Sequence, residues 1–207
     1  MTAFIHPTAI VEAGVEIGAG TAIWNTVHVR SPSRIGADCI IGEKTYIAPR
    51  VHLGDRVKVN ALAYLCAGVT LEDGVMVSAG VIFTNDLRPR ATTPDLRSLL
   101  PSDFGPEHRE TRVRQGATIG AGSVIRGGIE IGRFAMIGMG SVVTRSVLDF
   151  HLVHGNPAAV AGAVCRCGEV IARFDASTAE ISIEATCPGC ALRYRIGARQ
   201  VVELSPP

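Results

Sequence analysis

Ile35-Gly36-Ala37-Asp38-Cys39-Ile40 runs directly into Ile41-Gly42-Glu43-Lys44-Thr45-Tyr46 and then Ile47. Each unit opens on an aliphatic residue and holds a small or β-branched residue in its fifth place. Followed outward in the same phase, a large apolar residue occupies every sixth position from Ile5 to Phe83, and again from Val113 to Val143. A helix repeats its apolar stripe near 3.6 residues, so this spacing is not helical. A strict period of six belongs to a parallel β-helix, in which each unit forms one short wall and successive coils stack. The first and fifth places are predicted to point inward. Thr21, Cys39, Thr45, Val57, Ser123 and Ser141 are among the fifth-place residues. Glycine often takes the second place, as at Gly18, Gly42, Gly120 and Gly138. That place reads as the corner, where unusual backbone angles turn the chain.

The 207 residues suffice for one domain with a small appendage, and the charges nearly cancel at 20 Lys and Arg against 19 Asp and Glu. Such balance speaks against a nucleic-acid or membrane-surface partner, which would require a positive excess. Aromatic residues make up 5% of the chain, so the core is expected to consist of thin β-branched layers. The first ten residues have neither the basic start nor the apolar stretch of a signal peptide. No apolar run reaches the length of a membrane span. A cytoplasmic location, with reduced cysteines, is the expectation.

One long break interrupts the repeat, at residues 84–112, and carries Pro89, Pro94, Pro101, Arg88, Arg90 and Arg97. The phase survives it, so the chain should leave and re-enter the scaffold at related corners. Insertions in repeat scaffolds commonly carry binding groups. The period fades over residues 146–150 and ends at His154-Gly155-Asn156-Pro157-Ala158. Residues 1–163 are therefore read as the β-helix and residues 164–207 as a separate small module, with alternating stretches at 180–184 and 192–196. That module holds Cys165-x-Cys167 and Cys187-x-x-Cys190. Four thiolates on two knuckles can surround Zn²⁺ tetrahedrally, and a closed site of that kind is structural rather than catalytic. Metal-free thiols or disulfides are the alternatives. Cys39 reads as a small core residue.

Leu71-Glu72-Asp73, Phe83-Thr84-Asn85 and Val113-x-x-Gly116-Ala117-Thr118-Ile119-Gly120 recur in a known order with Gly155-Asn156-Pro157-Ala158 and Cys165-Arg166-Cys167-Gly168. Together with the [LIV]-G-x-x-[STAV]-x units, this set resembles the hexapeptide-repeat acyltransferases. Within them it is most similar to nucleotide-sugar N-acetyltransferases, of the UDP-2-acetamido-3-amino-glucuronate type. The resemblance covers almost the whole chain from His6-Pro7-Thr8-Ala9 onward. It implies a left-handed parallel β-helix with three hexapeptides per coil, six to seven coils, and a homotrimer with clefts between subunits. It also implies acetyl transfer from acetyl-CoA to the amino group of a UDP- or dTDP-linked sugar.

By this resemblance Asn85 meets the acceptor amine. An amide cannot take a proton at neutral pH, so Asn85 would orient the amine rather than act as its base. His28, within Trp24-Asn25-Thr26-Val27-His28, resembles the second histidine of the family's Trp-His-x-x-His segment and is a second candidate; Asn25 replaces the first histidine. His108, in the inserted loop, is placed to reach a substrate. For the cosubstrate, the likeness puts pantetheine beside Gly120 and Gly138, and the adenine end near Arg145, Asn156 and Pro157. The chain lacks the consecutive asparagines of the glucuronate enzymes, having Asn60-Ala61-Leu62 instead. Competing readings are an O-acetyltransferase, another acyltransferase on a small acceptor, and a non-catalytic trimeric scaffold or sugar binder. A γ-class carbonic anhydrase is disfavoured, because His6, His28 and His52 do not match its metal-ligand arrangement.

Overall fold

The computed structural model describes residues 2–101, 104–105, 107–174, 182–197 and 200–204. Strands of two or three residues wind from Phe4–Ile5 to Val142–Val143 as a β-solenoid with three parallel sheets. Partners in neighbouring coils stand three hexapeptides apart in sequence, as in Ile5↔Ile23, Tyr46↔Tyr64 and Val59↔Val77. Three hexapeptides therefore make one coil. The second sheet contains seven strands, which agrees with the six to seven coils implied by the resemblance. Across the break the partners are Phe83↔Ile125 and Leu71↔Val113, each pair seven hexapeptides apart. The insertion thus lengthens one coil by four whole hexapeptides without shifting its register, as the preserved phase predicts.

Both predicted inward places are buried. Ile23, Ile41, Val59, Val77 and Ile119 are fully sequestered in the first places, as are Val27, Cys39, Val75 and Val81 in the fifth. Buried hydroxyls in the fifth place are paired from coil to coil. Thr21 donates to the Gly36 carbonyl at 2.7 Å and accepts from the Cys39 amide at 3.0 Å. Ser33 and Ser123 repeat the arrangement. Such pairing removes the penalty of placing a polar group in an apolar shaft.

The corner geometry differs from its sequence-based reading. Left-handed backbone lies in the fourth place, at Thr26, Lys44 and Arg50 (φ +64°) and at glycines such as Gly80. The second-place glycines serve another purpose. A Cβ at Gly42 would stand 2.7 Å from the Ala61 amide nitrogen, and one at Gly120 2.5 Å from that of Met139. These glycines are there because the next coil passes too close for a side chain.

The three outer faces differ in chemistry. The second sheet presents Ile10, His28, Tyr46, Tyr64 and Ile82 in one column. Tyr46 and Tyr64 stack 5.3 Å apart, with His28 edge-on to Tyr46. The third sheet presents Glu16, Arg34, His52, Thr70 and Arg112, with Arg34 paired to Glu16 at 2.8 Å.

The two ends also differ. At the amino end Ile5 remains 44% exposed. At the other, the His151–Gly155 strand continues the first sheet, then turns back through the antiparallel Ala158–Val164 and Val170–Arg173 strands. A three-stranded antiparallel sheet follows, Ile183–Thr186, Arg193–Gly197 and Gln200–Glu203. The predicted stretch at 192–196 falls on one of these strands; positions 180 and 181 of the other stretch lie outside the described residues. A second core of Phe150, Ala163, Cys165, Tyr194, Ile196 and Val201 joins this sheet to the last coil. Phe134 stacks on Phe150 at 5.6 Å, and Arg166 lies over Phe134 while pairing with Glu203 at 2.7 Å. No helix long and apolar enough to cross a membrane is found among the described residues.

Truncating one inward side chain should be costly while its outward neighbour is tolerant. Ile119→Ala is expected to lose about 2–5 kcal/mol, and Thr118→Ala less than about 0.5 kcal/mol. Urea unfolding measures both; equal losses would contradict the assigned faces.

Candidate active site

Phe83 ends its strand fully packed, and the chain leaves the solenoid at the edge between the second and third sheets. Asn85 is the second residue beyond it. Its side-chain amide donates to the Ala67 carbonyl, one coil up, at 3.1 Å. A carbonyl can accept only from the NH₂ end, so this contact fixes the amide orientation and leaves Oδ1 as the unused acceptor. Below Asn85 lies Gly127, where a Cβ would come within 2.7 Å of the Asn85 Cα. Asn85 is therefore held between two coils.

The inserted loop returns to the same point. The Arg109 amide donates to the Asn85 carbonyl at 2.9 Å, and Asp86 and His108 face each other across an antiparallel bridge. His108 Nδ1 accepts the Gly105 amide at 2.9 Å. A backbone N–H can only donate, so in the neutral ring the proton resides on Nε2. His108 is thereby set as a hydrogen-bond donor, not as a base at Nε2. Phe104 stacks on His108 at 5.2 Å and lies directly over Gly68, where a Cβ would meet its ring at 2.8 Å.

Asn85 and His108 share a cleft of about 1320 Å³ that follows this edge toward the amino end as far as Gly14 and Glu16. Its walls include Tyr46 and Tyr64 on one side, and Arg34, His52 and Thr70 on the other. Arg30 pairs with Glu12 and donates to the Tyr46 hydroxyl at 3.0 Å. The Ser31 amide, then His28 and Arg30, hold the Glu12 carboxyl below its usual range against the opposing effect of burial. Cys66 also lines the cleft, with its thiol pushed up to about 12 by burial; it is unreactive as a nucleophile.

The other predicted site residues lie elsewhere. His28 is three coils from Asn85 on the outer face of the second sheet, its Nε2 3.3 Å from Glu12 Oε1. Gly120 and Gly138 stack in adjacent coils along the edge between the first and second sheets. Asn156 and Pro157 form the exposed turn just past that edge, and His154 packs under Gly138. Arg145, exposed, belongs to the Asn85 edge instead. It follows Val143, which is two coils from Phe83 through Ile125, about 10 Å along the axis. Within one chain, the width of the second sheet separates the glycine edge from the Asn85 edge.

The four cysteines converge. Their Sγ atoms all lie within 4.8 Å of one another, with Cys165–Cys190 at 3.3 Å and Cys167–Cys187 at 3.5 Å. Tetrahedral ligands about 2.3 Å from one ion stand roughly 3.8 Å apart, so the cluster has the size of a four-thiolate metal site. Burial pushes the Cys187 thiol up, but the amides of Cys190 and Gly189 and the neighbouring thiols outweigh it and bring it down to about 7. The Tyr194 hydroxyl stands 3.2 Å from Cys165 Sγ. Sequence spacing found all four of these residues. It missed Phe104, which lies in the insertion outside the repeat, and Arg50, an ordinary fourth-place residue of the repeat whose partner, the Phe104 ring 5.3 Å away, belongs to that insertion.

Residues 110–145 match the family described as "Bacterial transferase hexapeptide (six repeats)", and residues 32–67 and 61–85 match "Hexapeptide repeat of succinyl-transferase". The dTDP-3-amino-3,6-dideoxy-alpha-D-galactopyranose 3-N-acetyltransferase of Aneurinibacillus thermoaerophilus is 40% identical over 194 residues, covering 94% of this chain and 91% of its own. A serine acetyltransferase of Buchnera aphidicola is 32% identical over 58% of this chain and 43% of its own. Among solved structures, the acetyltransferase domain of PglB from Neisseria gonorrhoeae aligns with a TM-score of 0.50 at 22% identity, over 76% of this chain and 57% of that one. It shares the fold.

Gly127→Ala should displace Asn85 from its seat against Ala67. The Asn85 side-chain amide resonances in a ¹⁵N spectrum are expected to shift, with a stability loss of about 1–3 kcal/mol. Unchanged resonances would mean that Gly127 does not seat this residue.

Proposed function

The chain belongs to the hexapeptide-repeat acyltransferases, and on that premise we propose that it transfers the acetyl group of acetyl-CoA to the amino group of a nucleotide-linked amino sugar. The observation carrying this reading is Asn85. It opens the insertion, is fixed from above and below, and faces the His108 limb in a chain that matches a sugar-nucleotide N-acetyltransferase almost end to end. That relative's substrate suggests a dTDP-linked 3-amino-3,6-dideoxy sugar as the first acceptor to test, ahead of a glucuronate. The missing asparagines at positions 61 and 62 support the same preference.

The chemistry follows from the groups present. The acceptor amine must be neutral to attack the thioester carbonyl. Asn85 Oδ1 accepts one amine N–H and turns the nitrogen lone pair toward the carbon under attack. The amine and its thioester partner are thereby held as neighbours, which removes much of the entropic cost of their meeting. Charge then builds on the carbonyl oxygen, and the His108 Nε2–H is a donor suited to it. Because Nδ1 is already occupied by the Gly105 amide, His108 does not remove the proton; the departing thiolate or water takes it.

Acetyl-CoA is assigned to the edge of Gly120 and Gly138, as the family resemblance implies, with Asn156 and Pro157 at its far end. This edge and the Asn85 edge are separated by one sheet, so a single chain holds two half-sites. Neighbouring copies related by cyclic symmetry would close one half-site on the other, which supports a homotrimer. The apolar column on the second sheet provides a face for such packing, whereas the charged third sheet suits solvent. His28 lies on that column and is assigned to the subunit boundary. The four cysteines are assigned to one structural Zn²⁺ on the fit described above, a closed set with no position for substrate. The thiolate set and the two remaining buried thiols, Cys39 and Cys66, are read as reduced, in keeping with a cytoplasmic enzyme.

Asn85→Ala is expected to lower kcat on the order of 100-fold with the melting temperature preserved. Thiol release from acetyl-CoA with a panel of amino sugars measures it; near-normal turnover would remove Asn85 from the mechanism. For the metal, mass spectrometry of the native protein should find about one zinc per chain. Cys187→Ser should abolish it and lower the melting temperature. A metal-free wild type that melts at the same temperature with and without zinc would reject the assignment.

A further inference from the structure

Three arginines line the cleft, and they are not equivalent. Arg30 is neutralised by Glu12 and Arg34 by Glu16. Arg50 has no carboxylate partner among the described residues. It is exposed at a corner, and its guanidinium carbon stands 5.3 Å from the centre of the Phe104 ring, itself seated on Gly68. A guanidinium held over a ring keeps its N–H edge free for two parallel bonds to a phosphate.

Position adds a second constraint. Arg50 follows Ile47, and Asn85 follows Phe83; Tyr46 pairs with Tyr64, and Tyr64 with Ile82. The two residues are therefore two coils apart on one edge, about 10 Å along the axis. With a hydrogen bond at each end, an amino-pyranose with its anomeric oxygen and first phosphorus is of about that length. Between them, beside Gly68, lies Glu110, the remaining carboxylate of the lining and without an ion pair among the described residues. Along this edge the order is therefore Asn85, then Glu110 beside Gly68, then the uncompensated Arg50. Such a site matches a ligand with an amine at one end of a sugar and a diphosphate at the other.

We propose that Arg50 binds the diphosphate of the nucleotide-linked acceptor, so that the sugar spans from Arg50 to Asn85 and the nucleoside continues toward the amino end. This inference rests on the acceptor reading given above. The pyrophosphate of CoA has the same chemistry, and the test separates the two sources. Isothermal titration of dTDP, UDP and CoA would be carried out on the wild type, Arg50→Gln and Arg50→Lys, with thermal melts to verify folding. Arg50→Gln should weaken nucleoside diphosphate binding about tenfold or more, Arg50→Lys should recover part of it, and CoA affinity should stay within about twofold. In steady-state assays the KM for the sugar nucleotide should rise more than kcat falls.

Equal dTDP affinity in wild type and Arg50→Gln would overturn the proposal. A loss confined to CoA would also overturn it, assigning Arg50 to the cosubstrate. A wild type that binds no nucleoside diphosphate would do the same. Failure of the acyltransferase reading has a different signature: dTDP would bind through Arg50 while no amino sugar released thiol from acetyl-CoA.

Discussion

Successive coils approach so closely that the second place of many repeats has no room for a side chain. At Gly42 and Gly120 the neighbouring backbone occupies the space a Cβ would require. This contact sets the pitch, and the pitch aligns every first and fifth place into a continuous shaft of Val, Ile and Leu. It also sets the columns on the outside. Arg50, Gly68 and Asn85 form one edge because the backbone leaves them no other position. The geometry of this cleft edge is thus inherited from a packing constraint rather than assembled by long-range contacts.

The fold was legible because its period is local and uninterrupted. Ile35 to Ile47 already contains the wall, the corner and the inward alternation, and nothing in the structure alters their phase. The corner was misassigned for a physical reason. Glycine is associated with left-handed backbone, yet in this chain the left-handed position is the fourth, filled by Thr26, Lys44 and Arg50 as readily as by glycine. The glycines of the second place answer to crowding, which depends on a neighbour one full coil away and leaves no local mark.

The site was legible in part. Asn85 could be singled out through the family resemblance, at the point where the repeat stops, and the four cysteines because their spacing is chemical. What sequence could not supply was the return of the loop. The contacts of Phe104 with Gly68 and Arg50, and of His108 with Gly105 and Asp86, are made by an insertion that follows no period. The state of His108 depends on a single backbone amide. A residue that composition would nominate as a base becomes a donor once that amide is seen.

The unequal ends give uncoiling a direction. The last coil is fastened by Phe134, Phe150 and Arg166 to the carboxy-terminal sheet beside the four clustered cysteines, while the first leaves Ile5 half in solvent. In a stack, stability passes only between neighbours, so fraying begins at the amino end and loses strength as it advances. The far wall of the cleft, from Gly14 to Arg34, is built on these loosest coils, whereas Asn85 sits deeper. A ligand reaching from Asn85 to that wall would hold down the coils it touches. Substrate occupancy and the order of the amino end are then two faces of one equilibrium.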